Sequence, residues 1–123
     1  MSNKIPIPND KKYDLLERTS VLGENIIEFA RSIKKDEVTR PLVSQIVRSG
    51  TSIGANHMEA DAGESKKDFK HKLAISRKEA KETMYWLRMI AKACPVNQAD
   101  CRNLWKECQQ LVFIFSSIIN KSK

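Results

Sequence analysis

Apolar residues recur along this chain at alternating steps of four and three, the spacing that keeps one face of an α-helix turned toward a core. Leu15, Thr19, Leu22, Ile26, Phe29 and Ile33 predict a first helix that begins near Asn9 or Asp10, after Pro8. The polar run Lys34-Lys35-Asp36-Glu37 ends it. A second helix is expected to open at Thr39-Arg40-Pro41, with Thr39 as cap and Pro41 in the first turn. Its buried stripe reads Leu42, Ile46, Ser49, Ile53, Asn56 and Ala60. Gly50 and Gly54 each weaken that helix by about 1 kcal/mol relative to alanine. The periodicity nevertheless runs straight through them, and small residues four apart let another helix come close.

Ser65 with Asp68 resembles a capping box at the start of a third helix. Phe69, Leu73, Ser76, Ala80, Thr83, Leu87, Ile90 and Cys94 then hold one seam without a break. The seam narrows at Ser76, Ala80 and Thr83, level with the small residues of the second helix. Pro95-Val96-Asn97 interrupts the chain. A fourth helix to about Asn120 turns Cys101, Leu104, Cys108, Leu111, Phe115 and Ile118 inward. Val112, Phe113, Ile114 and Ile119 make it apolar almost all round, so it is either central or meets another subunit. No stretch alternates apolar and polar residues long enough for a sheet. The expected fold is all-α, an up-down-up-down four-helix bundle over residues 10–123 after a flexible lead-in of residues 1–9.

Length and composition agree with one helix-rich domain: 123 residues, 30% charged, four glycines and four prolines. No signal peptide and no run of roughly 20 apolar residues is present, so the expected setting is the cytoplasm, with no membrane partner. Cys94, Cys101 and Cys108 are odd in number and seven apart, which suits reduced thiols on a helix seam. The formal net charge of +7 permits nucleic acid or another acidic surface as partner without requiring either.

Two constellations stand out. Lys66, Lys70, Arg77, Lys81, Arg88 and Lys92 form one line on the third helix, set off from its apolar seam and away from Glu79 and Glu82. Over 26 residues, at 1.5 Å each, the line is about 39 Å long and could track phosphates. No aromatic residue interleaves with it on that helix, which argues against base stacking. The second is a polar set on the facing flanks of the second and third helices: Arg48, Ser52, Asn56 and Glu59 against Glu79, Glu82 and Trp86. If the helices run antiparallel about residue 62 or 63, side chains leaning toward their own N-termini bring Arg48 to Glu79 and Glu82. An arginine between two carboxylates holds both ionised, which suits a structural network better than acid–base chemistry. If that set is buried, Arg48→Met strands two charges and costs several kcal/mol.

Metal and catalytic readings find little. Asp68-x-x-His71 has the spacing of a carboxylate–histidine ligand pair but has no second copy, and His57 has no partner three residues away. No glycine-rich phosphate loop occurs, and the serines have roles in packing or capping. Neither a cofactor nor a metal is called for.

Ile46-Val47-Arg48-Ser49-Gly50-Thr51-Ser52-Ile53-Gly54-Ala55-Asn56, Glu59-Ala60, Ser65-Lys66-Lys67-Asp68-Phe69, Arg77-Lys78-Glu79-Ala80-Lys81-Glu82 and Tyr85-Trp86-Leu87-Arg88 resemble a bacterial four-helix-bundle family. Its members include proteins encoded by intervening sequences inserted in 23S ribosomal RNA genes. A more distant branch is the accessory variability protein of diversity-generating retroelements. Tyr13-Asp14-Leu15 and Glu17-Arg18-Thr19 also fit, and the likeness spans about residues 13–120. The resemblance implies an all-helical subunit in a ring, typically a homopentamer. In the retroelement branch, it implies binding to nucleic acid and a reverse transcriptase.

The expectation is therefore a non-enzymatic, ring-like homo-oligomer that binds RNA or DNA through the line from Lys66 to Lys92. An alternative is a scaffold that recruits a protein partner such as a reverse transcriptase, its charge serving solubility alone. A third is a small enzyme using Glu79 or Glu82.

Overall fold

The computed structural model describes residues 11–121, and they form four α-helices with no strand among them. Helix α1 spans Lys11–Ser32, α2 Thr39–Asp61, α3 Lys66–Ala93 and α4 Gln98–Lys121, with a 3₁₀ turn at Pro95–Asn97. The lead-in expected over residues 1–9, and a helix start at Asn9 or Asp10, lie outside the described residues.

Side-chain pairing fixes how the helices lie. Thr83 Oγ1 donates to Ser49 Oγ at 2.9 Å, Ser76 Oγ donates to the Ile53 carbonyl at 2.9 Å, and Lys72 meets Glu59 at 2.6 Å. Partners rise along α2 as they fall along α3, so these two helices are antiparallel. Ser49, Ser76 and Thr83 are fully buried, and pairing their hydroxyls with one another and with backbone offsets the cost of removing them from water. Gly50 lies against Ile26 and Gly54 against the Thr19 carbonyl, so α1 is antiparallel to α2 as well. The two glycines therefore make room for α1. They do not serve α3, which the sequence pattern had paired with them.

The core contains the predicted stripe of α1 in full, from Leu15 to Ile33, and the α3 seam from Leu73 to Ile90. On α2 the pattern needs correction. Leu42 and Asn56 are only half-buried, while Thr39, Gly50 and His57 are inside. On α4, Val112, Ile114, Ile118 and Ile119 pack against the core within the same chain, and of the surplus apolar set only Phe113 is exposed, at 65%. The unusual apolarity of α4 is thus absorbed mostly by its packing on α3.

Caps close the helix ends. Thr39 is the first residue of α2 and is not its cap: its hydroxyl donates to the Lys34 carbonyl at 2.7 Å and accepts from the Asp36 amide at 2.9 Å. The capping carboxylate is Asp36, which accepts from the Val38 and Thr39 amides at 2.8 Å each. Those amides, Thr39 first, hold the Asp36 carboxyl below its usual range. Lys35 donates to the carbonyls of Ala30 and Ile33 at the C-terminal end of α1. Ser65, in an extended conformation, accepts from the Asp68 amide at 3.1 Å and caps α3 as its spacing predicted.

Candidate nucleic-acid interface

The six cations predicted on α3 lie along the flank that turns from solvent toward α4. Lys66, Lys81, Arg88 and Lys92 are exposed, and Lys70 and Arg77 are half-buried. Arg77 lies down against α4, where it donates to Ser116 Oγ at 3.2 Å. Among the described residues none of the six is paired with a carboxylate. Helix α4 adds to this flank. Arg102, Lys106, Gln109, Phe113 and Ser116 recur at steps of four and three, and Ser116 marks their side as the one facing Arg77. Arg102 and Lys106 are both exposed. About three helix turns along α3 from Arg77, a groove of about 460 Å³ opens between α3 and α4, with Arg88, Arg102 and Trp105 among its lining residues.

The polar set on the other flank of α3 forms as expected in part. Arg48 donates to Glu79 at 3.2 Å, to Glu82, and to Gln45 at 3.0 Å. Trp86 Nε1 donates to Glu82 at 2.9 Å. Ser52 and Asn56 continue the strip along α2 by bonding to the carbonyls of Arg48 and Ser52. Glu59 stands apart from them, on Lys72. The set is not buried: the Arg48 side chain is 46% exposed and that of Glu82 32%, although Glu79 is only 12% exposed. The reason is position, since the clasp lies on the outer rim of the α2–α3 contact while the hydroxyl ladder occupies its centre. One guanidinium thus holds both carboxylates.

Two features escaped the sequence pattern. Arg18 donates through Nε and Nη2 to Glu107 at 2.8 Å and to Gln110 at 2.7 Å, fastening α1 to α4. The bond to Glu107 raises the guanidinium pKa further. A separation of 89 residues leaves no local signal for such a pair. His57 is the other. It is buried, with Nδ1 3.4 Å from Thr19 Oγ1, Nε2 4.0 Å from Asp61, and its ring edge-on to Phe115. The Asp61 partner is four residues on, a helical spacing that was legible; the three-residue test did not find it. His57 and Asp61 border a pocket of about 580 Å³ lined also by Phe69, Leu73 and Ile118.

Among the described residues no three His, Cys, Asp or Glu side chains gather as a metal site would require, and His71 is exposed on α3. No helix among them is long and apolar enough to cross a membrane. Burial pushes the Cys101 thiol up to about 11 and the Cys108 thiol up to about 12, which keeps both protonated at neutral pH.

Four helices, no strand and one flank of unpaired cations define a small, basic all-helical protein with a candidate polyanion surface. The chain belongs to the 23S rRNA-intervening sequence protein family, whose family model matches residues 11–117. It is also similar to a crystal structure, at 1.70 Å resolution, of a protein with unknown function from the S23 ribosomal protein family of Bacteroides thetaiotaomicron VPI-5482. The two are 29% identical, the match covers 89% of this chain and 98% of that one, and the TM-score is 0.82. No curated protein matches the sequence.

Proposed function

We propose that this protein is a non-enzymatic, cytoplasmic subunit of up-down-up-down topology that assembles into a homo-oligomeric ring and presents its α3–α4 flank to RNA or DNA. One observation carries the reading: six cations, Lys66, Lys70, Arg77, Lys81, Arg88 and Lys92, run along one helix flank with no carboxylate partner among the described residues. Unpaired charges of one sign at such spacing repel each other, and a polyanion removes that repulsion by releasing its own counterions. The ring, pentameric as the family resemblance implies, would repeat the line around its circumference and multiply weak contacts through avidity. The retroelement branch, which binds nucleic acid, supports the same reading by resemblance.

Binding of a generic RNA across a salt series tests it. The expected outcome is a steep fall in affinity, with a log–log slope approaching about −4 if all six cations meet phosphates of a single strand. Replacing Lys70, Arg77, Lys81 and Arg88 together by glutamate is expected to abolish binding while sedimentation shows the oligomer intact. Absent or salt-insensitive binding at low ionic strength removes the nucleic-acid reading, and a monomeric wild type removes the ring.

A further inference from the structure

The line of cations on α3 has no aromatic residue in its own register, yet the fold brings aromatic residues to it from α4. Trp105 lines the groove of about 460 Å³ together with Arg88 from α3 and Arg102 from its own helix, above a floor that includes Leu87 and Ala91. The indole is half-buried and packs against the core, so its ring is held and its groove-facing side is available. Eight residues further along α4, Phe113 is 65% exposed on the same side as Arg102, Lys106 and Ser116. The helical phase that Phe113 shares with Arg102 and Lys106 sets its ring on the outer face of α4, beside the cations.

Each part of this flank answers a different part of a nucleotide. The arginines supply positive charge for phosphate, and their planar guanidinium groups also stack on rings. The indole face and the phenyl face offer stacking to any base, because every base has a π-face. Among the described residues no carboxylate lines the groove, so charge complementarity favours an anion over a cationic or neutral peptide. A duplex keeps its bases stacked inside and could use only the cations. We propose that the α3–α4 flank binds single-stranded nucleic acid, with one base stacked on Trp105 between Arg88 and Arg102, a second on Phe113, and the phosphates along the α3 line. This deepens the nucleic-acid reading above and rests on it.

The test uses an oligouridylate strand and a blunt RNA duplex of equal length as probes of the full chain. Trp86→Phe leaves Trp105 as the sole tryptophan, so its emission reports on that ring directly. Oligouridylate is expected to quench this emission, and the duplex is not. Trp105→Leu and, independently, Phe113→Ala are expected to weaken single-strand binding by about tenfold each, leaving duplex binding and the salt slope unchanged. Phe113 is exposed, so its variant folds even if the loss of Trp105 loosens the core. Unquenched Trp105 with tight strand binding, or variants that bind single strands like the wild type, overturns the stacking proposal and leaves the cationic reading standing. Failure of both probes to bind overturns both.

Discussion

Arg48 shows how exposure decides what an ion pair contributes. It bridges Glu79 and Glu82 from a side chain that is 46% exposed, so solvent screens both contacts. Exposed pairs contribute roughly 0–1 kcal/mol each. The expected cost of Arg48→Met is therefore about 1 kcal/mol, not the several that burial would impose. Urea unfolding measures it, and a loss above about 3 kcal/mol would mean that Glu79 is desolvated far more than its surroundings indicate. The residues of the clasp were legible from their spacing because helical side chains lean toward the N-terminus. Their solvent exposure was not, since it depends on how closely the cores of α2 and α3 approach behind them.

At the scale of the element, glycine has opposite consequences at two positions. A methyl group on Gly50 would meet Cγ1 and Cγ2 of Ile26 at 2.9 Å, and Ile26 is fully buried with a stiff β-branched side chain. Overpacking costs about 1–3 kcal/mol, against about 1 kcal/mol gained in helix propensity. Gly50→Ala is expected to lower stability by about 1 kcal/mol. At Gly23 the nearest atom to such a methyl is 3.8 Å away, an ordinary contact. There the propensity gain acts alone, and Gly23→Ala is expected to raise stability by up to about 1 kcal/mol. Thermal melts of the two variants should move in opposite directions, and a shared direction would contradict the packing of α1 on α2. Continuity of α2 through Gly50 and Gly54 followed from its periodicity, whereas the helix that fills the space beside them did not.

For the molecule as a whole, the buried thiols tie stability to alkaline pH. Cys108 carries a pKa raised from 9.0 to about 12 because burial disfavours the thiolate. Below pH 9 folded and unfolded chains both keep the proton, and stability is fully retained. As pH climbs from 9 toward 12 the unfolded thiol ionises while the folded one does not, so stability is lost. The slope approaches about 1.4 kcal/mol per pH unit for one such thiol. Urea midpoints of wild type and Cys108→Ala between pH 8 and about 10.5 should converge as the pH rises. Parallel curves would show that the Cys108 site is open to water. Cys101, raised to about 11, acts in the same direction.

The four helices, the inward faces of α1 and α3 and the cation line of α3 were set by local periodicity, because a 3.6-residue repeat written in apolar and charged side chains fixes which face turns inward wherever the helix ends up. Which helix meets which face is a long-range matter, and tertiary packing alone decided it. It gave Gly50 and Gly54 to α1, joined Arg18 to Glu107, and took up most of the apolar surplus of α4 inside one chain. It also brought Trp105 to Arg88. Residues so far apart in sequence share no repeat, and only the close packing of helices onto one core puts them side by side.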